Sequence, residues 1–541
     1  MIQSVAVLVV LGCMVSVRGS NILMVTMCGT RSHTVPFVAL SRELSSAHNV
    51  TFLSGFPGSA AEGLAEEISP VNMVQYIRKY HEKIDFIGHR YFGTHAIPPP
   101  ELLRYGIEIC KTLLEDQEFL SFIHDQSRHY EVVLIDSTYS ACALALAHRF
   151  HAPYIFVNPV GFNSMPLSDN GNLVPYATTP FMFTGFSEQM HLAQRGWNAF
   201  CHLVEWFGNY ILAEWYLQPM LQEVYGDDLP RIWEMQKNAS FILHNAHPVL
   251  MYPRALLPNV AEIGCIHCHE AEPLPEDLER WVQGSGSRGV ILVSMGSITT
   301  EGHMPEAVRL MLTRALAKIP QRVIWKWTGN ASTAFPEKPP ANVKIVSWMP
   351  QQDLLGHPKV LGMVSHGGLL SMYEAAYHGK PSVMMPVYFD HDSNALKAET
   401  DGYAVRLELR GLTSDALAQA ITELVQNPRY RASAERKARL LRDQPETALQ
   451  RSVFWVEHVL RHKGAAHLQG GTRNMSLFQI LYLDLLVVTL LVIVVIHKLP
   501  VICDSLRVLT DKVSAVSVNK NLMADMRFNA PAAETLARKP R

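Results

Sequence analysis

VLGMVSHGGLLSMYEAAYHGKPSVMMP, residues 360–386, decides how this chain is read. An apolar run ends at Ser365, His366-Gly367-Gly368 turns the chain, a helix opens, and Gly379 and Pro381 close it before a second apolar run. Buried strand, Gly-rich turn, helix and strand make one βαβ unit of an open parallel sheet. Leu369, Met372 and Ala376 are spaced to form the helix's core stripe, while Ser371 and Glu374 share another face. Gly367 and Gly368 let a ligand approach backbone N–H groups at the helix start, where orphan donors and the positive dipole end favour an anion. His366 adds a side-chain donor to the same anion. A Gly-rich turn serving only the backbone is the plainer account of the same residues.

Outward from that stretch the pattern repeats. Strand-like runs in the first half are NILMVTM (21–27), HNVTFLS (48–54), EVVLID (131–136), APYIFVN (152–158) and SFILHNA (240–246). In the second half they are RGVILVSMG (288–296), QRVIWKWTG (321–329), VKIVSW (343–348), VLGMVS (360–365), PSVMMP (381–386) and YAVRLEL (403–409). Residues 267–289, rich in Pro, Gly and Glu, read as a linker. The expectation is an α/β chain of two Rossmann-like, doubly wound domains facing a cleft, over residues 21–266 and 290–470. Ligands of such sheets gather outside the carboxyl ends of the strands. The chemically distinctive residues fall there: His33, Asp136, Ser294 to Ser297, Trp348 to Gln351, His366, and Asp390 with His391.

Trp348 offers a stacking face to a planar base, and Gln351 a nearby amide. Glu374, one turn above the Gly-Gly anion site, can accept from two ribose hydroxyls. Asp390 and His391 stand where sugar hydroxyls would be held. Base, ribose, phosphate and sugar together describe a nucleotide-sugar.

The stretch WMPQQDLLGHPKVLGMVSHGGLLSMYEAAYHGKPSVMMPVYFDHDSNALKAE resembles the signature region of the membrane-bound animal UDP-glycosyltransferases, which include the UDP-glucuronosyltransferases. RGVILVSMGS, QRVIWKWTGN and FWVEHVLRHKGAAHL are similar to other segments of that family. The resemblance covers residues 20–498. It implies a GT-B fold and metal-independent, inverting transfer of a sugar from a UDP donor, which is a co-substrate and not a cofactor. On matching positions it implies that Trp348 and Gln351 hold uracil and ribose, and that Glu374 holds ribose. It places Ser297, His366, Gly367, Gly368 and Ser371 at the pyrophosphate, and Asp390 and His391 at the sugar.

Transfer to a hydroxyl needs a base. His33, in the loop after the first strand, can accept a proton, and Asp136 ends another strand of the same half. The residues alone are equally consistent with a helix cap and a turn; by resemblance they are the family's base and its carboxylate partner. His391 departs from the family, in which Gln usually follows this Asp. Asp-His here resembles the ceramide galactosyltransferase branch, which makes galactose a donor to weigh beside glucose and glucuronate. A membrane-anchored, non-catalytic binder of UDP-sugar or lipophilic ligand is the second reading. A nicotinamide-dependent oxidoreductase is the third, though no G-x-G-x-x-G follows the first strand of either half.

Between Phe181 and Tyr225 lie Trp197, Trp206 and Trp215, three of nine tryptophans, with Phe200, Phe207, Tyr210 and Tyr216. Nine-residue steps do not keep one helical face, so core packing is expected, against an acceptor wall or a membrane-touching segment. Either way the acceptor should be lipophilic.

The ends fit a membrane protein. Val5 to Val15 with Gly19 and Ser20 reads as a signal peptide over 1–20. Residues 477–498 carry about 20 largely apolar residues, enough to cross a roughly 30 Å hydrocarbon core, although Asp484 interrupts them. From Lys498 onward eight Lys/Arg face four Asp/Glu, as expected of a cytosolic tail over 499–541. A single-pass type I protein of the endoplasmic reticulum membrane, its body lumenal, follows, with ER residence resting on the resemblance. Sequons start at Asn49, Asn238, Asn330 and Asn474. Lys+Arg of 47 against Asp+Glu of 49 argues against a nucleic-acid partner. The six cysteines outside the two apolar ends are too sparse for a disulfide framework. Cys265-Ile-His-Cys268 has metal-like spacing without a second pair and is expected to be incidental. No metal is expected, and the resemblance leaves room for a homo-oligomer.

Overall fold

A computed structural model describes residues 19–528, apart from 28, 59–62, 95–98, 297–303 and 331–333. The chain falls into two compact units, Met1–Arg473 and Asn474–Arg541.

The first unit holds two parallel sheets. One joins β1 (Asn21–Thr26), β2 (Asn49–Ser54), β3 (Glu66–Ile68), β4 (Val132–Asp136), β5 (Tyr154–Asn158), β6 (Phe241–His244) and β7 (Val260–Glu262) in the order β3-β2-β1-β4-β5-β6-β7. The other joins β8 (Val290–Ser294), β9 (Arg322–Lys326), β10 (Val343–Val346), β11 (Val360–Ser365), β12 (Ser382–Met384) and β13 (Ala404–Arg406) in the order β10-β9-β8-β11-β12-β13. Central strands such as VVLID and VILVS are buried along their whole length, because helices cover both faces. β3 and β7 escape a reading by apolar runs. Each has three residues, includes Glu, and sits at a sheet edge where one side needs no apolar cover.

In both sheets the strand order reverses between the first strand and its later neighbour: β1 beside β4, and β8 beside β11. The crevice at such a reversal is where open α/β sheets receive ligands. The two halves share an apolar seam in which Phe162, Ala246, Leu250 and Met251 of the first pack against Leu369, Met372 and Tyr373 of the second. Fully buried side chains of this size stabilise by about 1.5–3 kcal/mol each, so the seam ties the halves firmly.

Several expectations change in detail. Residues 267–289, read as a linker, carry the helix Glu276–Gln283, whose Leu278 and Val282 enter the second sheet's core. The helix Ala448–His462 follows the second sheet in sequence yet packs Val456 and Val459 into the core of the first. The cysteines are less idle than expected, since Cys110–Cys142 and Cys265–Cys268 are bridged. In the second unit a helix runs Leu483–Phe528, and its stretch Leu483–Val518 is long and apolar enough to span a membrane. Asp484 stands in that helix's first turn, where a carboxylate is favoured, so it interrupts nothing. The expected signal segment falls almost wholly outside the described residues.

Candidate active site

The catalytic candidates meet at the first sheet's reversal. β1 ends at Thr26, and a short turn brings His33 to the start of the helix Thr34–Leu44; β4 ends on Asp136. His33 Nδ1 lies 3.0 Å from Asp136 Oδ2, with the carboxylate side chain only 2% exposed. Asp136 is itself fixed, Oδ2 accepting from Thr26 Oγ1 at 3.3 Å and Oδ1 from the Thr138 N–H at 2.9 Å. With Nδ1–H given to Asp136, Nε2 carries a lone pair and is the ring's basic atom. Gly29, at φ +79°, lies flat against this imidazole: a Cβ there would come within 2.7 Å of three ring carbons. Glycine at 29 therefore serves both a left-handed turn and a close approach.

The anion candidates meet at the second reversal. His366 follows β11 and is buried, and burial brings its pKa down to about 4, so it is a neutral imidazole. Gly296, beyond β8, and Gly368 flank its ring, and a Cβ on either would strike Nε2. Of the Gly pair expected to face the ligand, Gly368 leaves part of its space to His366. Ser297 lies outside the described residues.

One turn higher, Gln351, opening the helix Gln351–Gly356, donates from Nε2 to Ser371 Oγ at 3.0 Å and to Glu374 Oε2. Ser371 and Glu374 thus share the face that their spacing indicated. Trp348 is 74% exposed, as a stacking platform needs to be, and Lys326 Nζ stands 5.6 Å over its ring. Lys326 ends β9 and was not anticipated; burial lowers its pKa and Glu374 opposes that shift.

Asp390 and His391 begin the helix His391–Thr400 and are both nearly buried. Burial raises the Asp390 pKa; the Asn394 amide, donating at 2.8 Å, and the charge of nearby His33 offset part of that rise. Burial holds His391 neutral, and its Nδ1 accepts from the Tyr388 N–H at 3.3 Å, which leaves Nε2–H as its donor. The two imidazoles His366 and His391 meet edge to face at 4.7 Å. Phe389, just before Asp390, has φ +56°. Such a conformation costs about 1–3 kcal/mol and persists only under outside constraint. Here Phe86 and Phe183 of the first half pack against Tyr388 and Phe389. Arg90 completes the closure: it donates to both oxygens of Asp392 at 3.0 and 2.9 Å, and to Glu408 at 2.8 and 2.6 Å. Neither Arg90 nor Asn394 has a motif around it that would have singled it out.

The aromatic stretch corrects the core-packing expectation. In the helix Leu192–Ile211 the buried residues are the polar Asn198 and His202. Asn198 donates to Tyr176 O and Thr179 O and accepts from the Phe181 N–H, all within 2.8 Å. Trp197, Phe200, Val204 and Phe207 are each more than half exposed, with Trp215 and Tyr216 beyond them. Steps of three and four residues put the first four on one face, which counting tryptophans alone conceals.

Residues 39–519 match the family described as UDP-glucoronosyl and UDP-glucosyl transferase. The chain is 33% identical over 381 residues to UDP-glucuronosyltransferase 2B10 of Homo sapiens, covering 70% of each chain. It is 31% identical over 487 residues to UDP-glucuronosyltransferase 2B33 of Macaca mulatta, covering 84% of this chain and 87% of the relative. Among solved structures, the calicheamicin glycosyltransferase CalG4 superposes with a TM-score of 0.55 at 18% identity, over 82% of this chain and 99% of CalG4. TcCGT1 in complex with UDP superposes at 0.52 and 17% identity, over 82% of this chain and all of TcCGT1. These likenesses identify the two-sheet arrangement as GT-B.

Proposed function

The chain belongs to the family of UDP-glucuronosyl and UDP-glucosyl transferases, and from that premise we propose that it moves a hexose from a UDP-sugar to a hydroxyl of a small lipophilic acceptor, with His33 as base. His33 Nε2 takes the acceptor's proton while Nδ1–H stays on Asp136, whose charge stabilises the imidazolium that forms. The acceptor oxygen bonds to the sugar's anomeric carbon from the face opposite UDP. The bond from that carbon to the diphosphate oxygen breaks, its electron pair leaves with UDP, and the configuration inverts. His366, the backbone N–H at Gly368, Ser371 and, by sequence, Ser297 meet the charge of the leaving diphosphate, whereas the Gly367 N–H, expected there too, is taken by Ser365 Oγ at 3.1 Å. Trp348, Gln351 and Glu374 hold the nucleoside, and Asp390 and His391 the sugar. The observation that carries this reading is the 3.0 Å pair of the half-buried His33 and the buried Asp136, near enough to Asp390 to act on its charge.

Which hexose follows from charge. A glucuronyl carboxylate would need a cation beside Asp390 and His391. The cation that acts on His391 is Arg90, whose guanidinium is already shared between Asp392 and Glu408. A third carboxylate there would meet two like charges, so a neutral hexose, glucose or galactose, is the donor we favour over glucuronate.

The two disulfides support a body folded in an oxidising compartment, which fits an endoplasmic-reticulum lumenal body on a single-pass anchor. The exposed aromatic face of the helix Leu192–Ile211 suits a bilayer interface, from which a lipophilic acceptor would arrive. Release of UDP by full-length protein in membranes, offered UDP-glucose, UDP-galactose and UDP-glucuronate with phenol, steroid and ceramide acceptors, tests the reading. Release from none of the three donors would sink it in favour of a non-catalytic binder, and a UDP-glucuronate preference would overturn the donor argument.

A further inference from the structure

We propose that His267 is a positioning residue for the Glu374 carboxylate, and that the Cys265–Cys268 bridge is the clip that holds it there. The proposal rests on the reading of Glu374 as a ribose ligand.

Cys265-Ile-His-Cys268 follows β7, the last strand of the first sheet. Backbone bonds from Ile263 N to His244 O and from Gly264 N to Ala246 O, both 2.8 Å, anchor its entry to that sheet. Cys265 then adopts φ +71°, a left-handed conformation that a side chain disfavours. It is held by the bridge to Cys268 and by the bond from Cys268 N to Cys265 O at 2.9 Å. The resulting tight turn sends Ile266 into the first sheet's core and His267 toward the second half.

His267 arrives at Glu374. Its Nε2 lies 3.3 Å from Oε1, and its side chain is 6% exposed. Neither ring nitrogen has a well-aligned hydrogen bond. Two buried imidazole nitrogens in that condition are costly and need a reason; a carboxylate 3.3 Å away supplies one. Glu374 Oε2 is already held by the Gln351 amide, and His267 stands against the second oxygen, Oε1. The turn is also stitched to the same helices. Gln352 Nε2 donates to His267 O and its Oε1 accepts from His269 N, each at 3.0 Å, and Cys265 Sγ lies 3.7 Å from Tyr373 O. A carboxylate restrained at both oxygens presents its remaining lone pairs in one direction, so the ribose hydroxyls meet a preset acceptor.

The test is the affinity of full-length protein for UDP and for 2′,3′-dideoxy-UDP, measured for wild type, His267→Ala, His267→Asn and Cys268→Ser. Wild type should prefer UDP. His267→Ala should lose about tenfold in UDP affinity, the scale of one close contact to a carboxylate, while dideoxy-UDP binding stays unchanged. His267→Asn, which keeps an N–H donor, should recover most of that loss. Opening the bridge, by Cys268→Ser or by reducing the wild type, should shift UDP alone and in the same direction. Full UDP preference in His267→Ala and in the opened-bridge protein would overturn the proposal. Equal loss of both ligands would overturn it too, because that reports general damage. A wild type with no preference for UDP would instead remove the ribose role of Glu374 on which it rests.

Discussion

The two halves of the first unit use the same strand order and build their sites differently. The second half, the proposed donor half, draws the candidates Trp348, Gln351, His366, Ser371, Glu374, Asp390 and His391 from one continuous run, β10 to the helix His391–Thr400. The first, the proposed acceptor half, draws the candidates His33 and Asp136 from beyond β1 and from the end of β4, 103 residues apart, and adds a helix whose apolar face points outward. A site assembled within consecutive βαβ units is held by local geometry. A site assembled between distant strands depends on the whole sheet, and here also on Phe86, Phe183 and Arg90, which press the donor-sugar loop from the other side.

That contrast can be broken at several strengths. Asp136→Ala should cost about 10²-fold or more in turnover with UDP affinity unchanged, because it disturbs the base and leaves the donor half intact; a parallel loss of UDP binding would mean the halves are not separable. Glu374→Ala should weaken UDP by up to about 10²-fold, as expected for lost hydrogen bonds to a charged acceptor, while dideoxy-UDP is spared. Trp348→Ala should cost about 1–3 kcal/mol of UDP affinity through lost base stacking; an unchanged dissociation constant would remove the indole from the site. Trp197→Ser and Phe207→Ser should each leave the free energy of unfolding within about ±0.5 kcal/mol of wild type, since these side chains are exposed. A loss of about 3–5 kcal/mol, as for truncating a core aromatic, would restore the core-packing account.

A further effect is a pH dependence. Burial raises the Asp169 pKa from the ordinary carboxylate range to about 7, so the folded chain favours its protonated form. The associated stability is fully present below the ordinary carboxylate pKa and is lost as pH rises through about 7. Asp169→Asn should therefore flatten the fall of the melting midpoint between about pH 4 and pH 7, by a few degrees for about 1 kcal/mol. Parallel wild-type and variant curves would show that Asp169 is ionised throughout.

Legibility followed the same division. The donor half was readable because its chemistry sits at fixed offsets in one stretch, and the co-facing of Ser371 and Glu374 follows from helical spacing alone. His33 and Asp136 were each visible as strand-end residues, but joining them needed the resemblance, since no spacing rule links strands so far apart. The stripe Trp197, Phe200, Val204 and Phe207 has ordinary helical spacing; what hid it was the assumption that an apolar stripe faces inward, which Asn198 defeats by burying its amide. Cys265-Ile-His-Cys268 carries no more in sequence than a half-formed metal pattern. Its partner, Glu374, appears only in space. Arg90 and Asn394 carry no motif: Arg90 takes its role from the closure of the halves, and Asn394 from its bonds to Gly367 O and Asp390 within the second half.

The most direct test compares UDP release and UDP binding by full-length wild type and His33→Ala in membranes, with a neutral UDP-hexose and a responsive acceptor. The account predicts that the variant loses about 10²- to 10⁴-fold in turnover, the usual contribution of a general base, and binds UDP as wild type does. Turnover within a few-fold of wild type would contradict it, and the 3.0 Å pair of His33 and Asp136 would then be a structural cap at a ligand crevice.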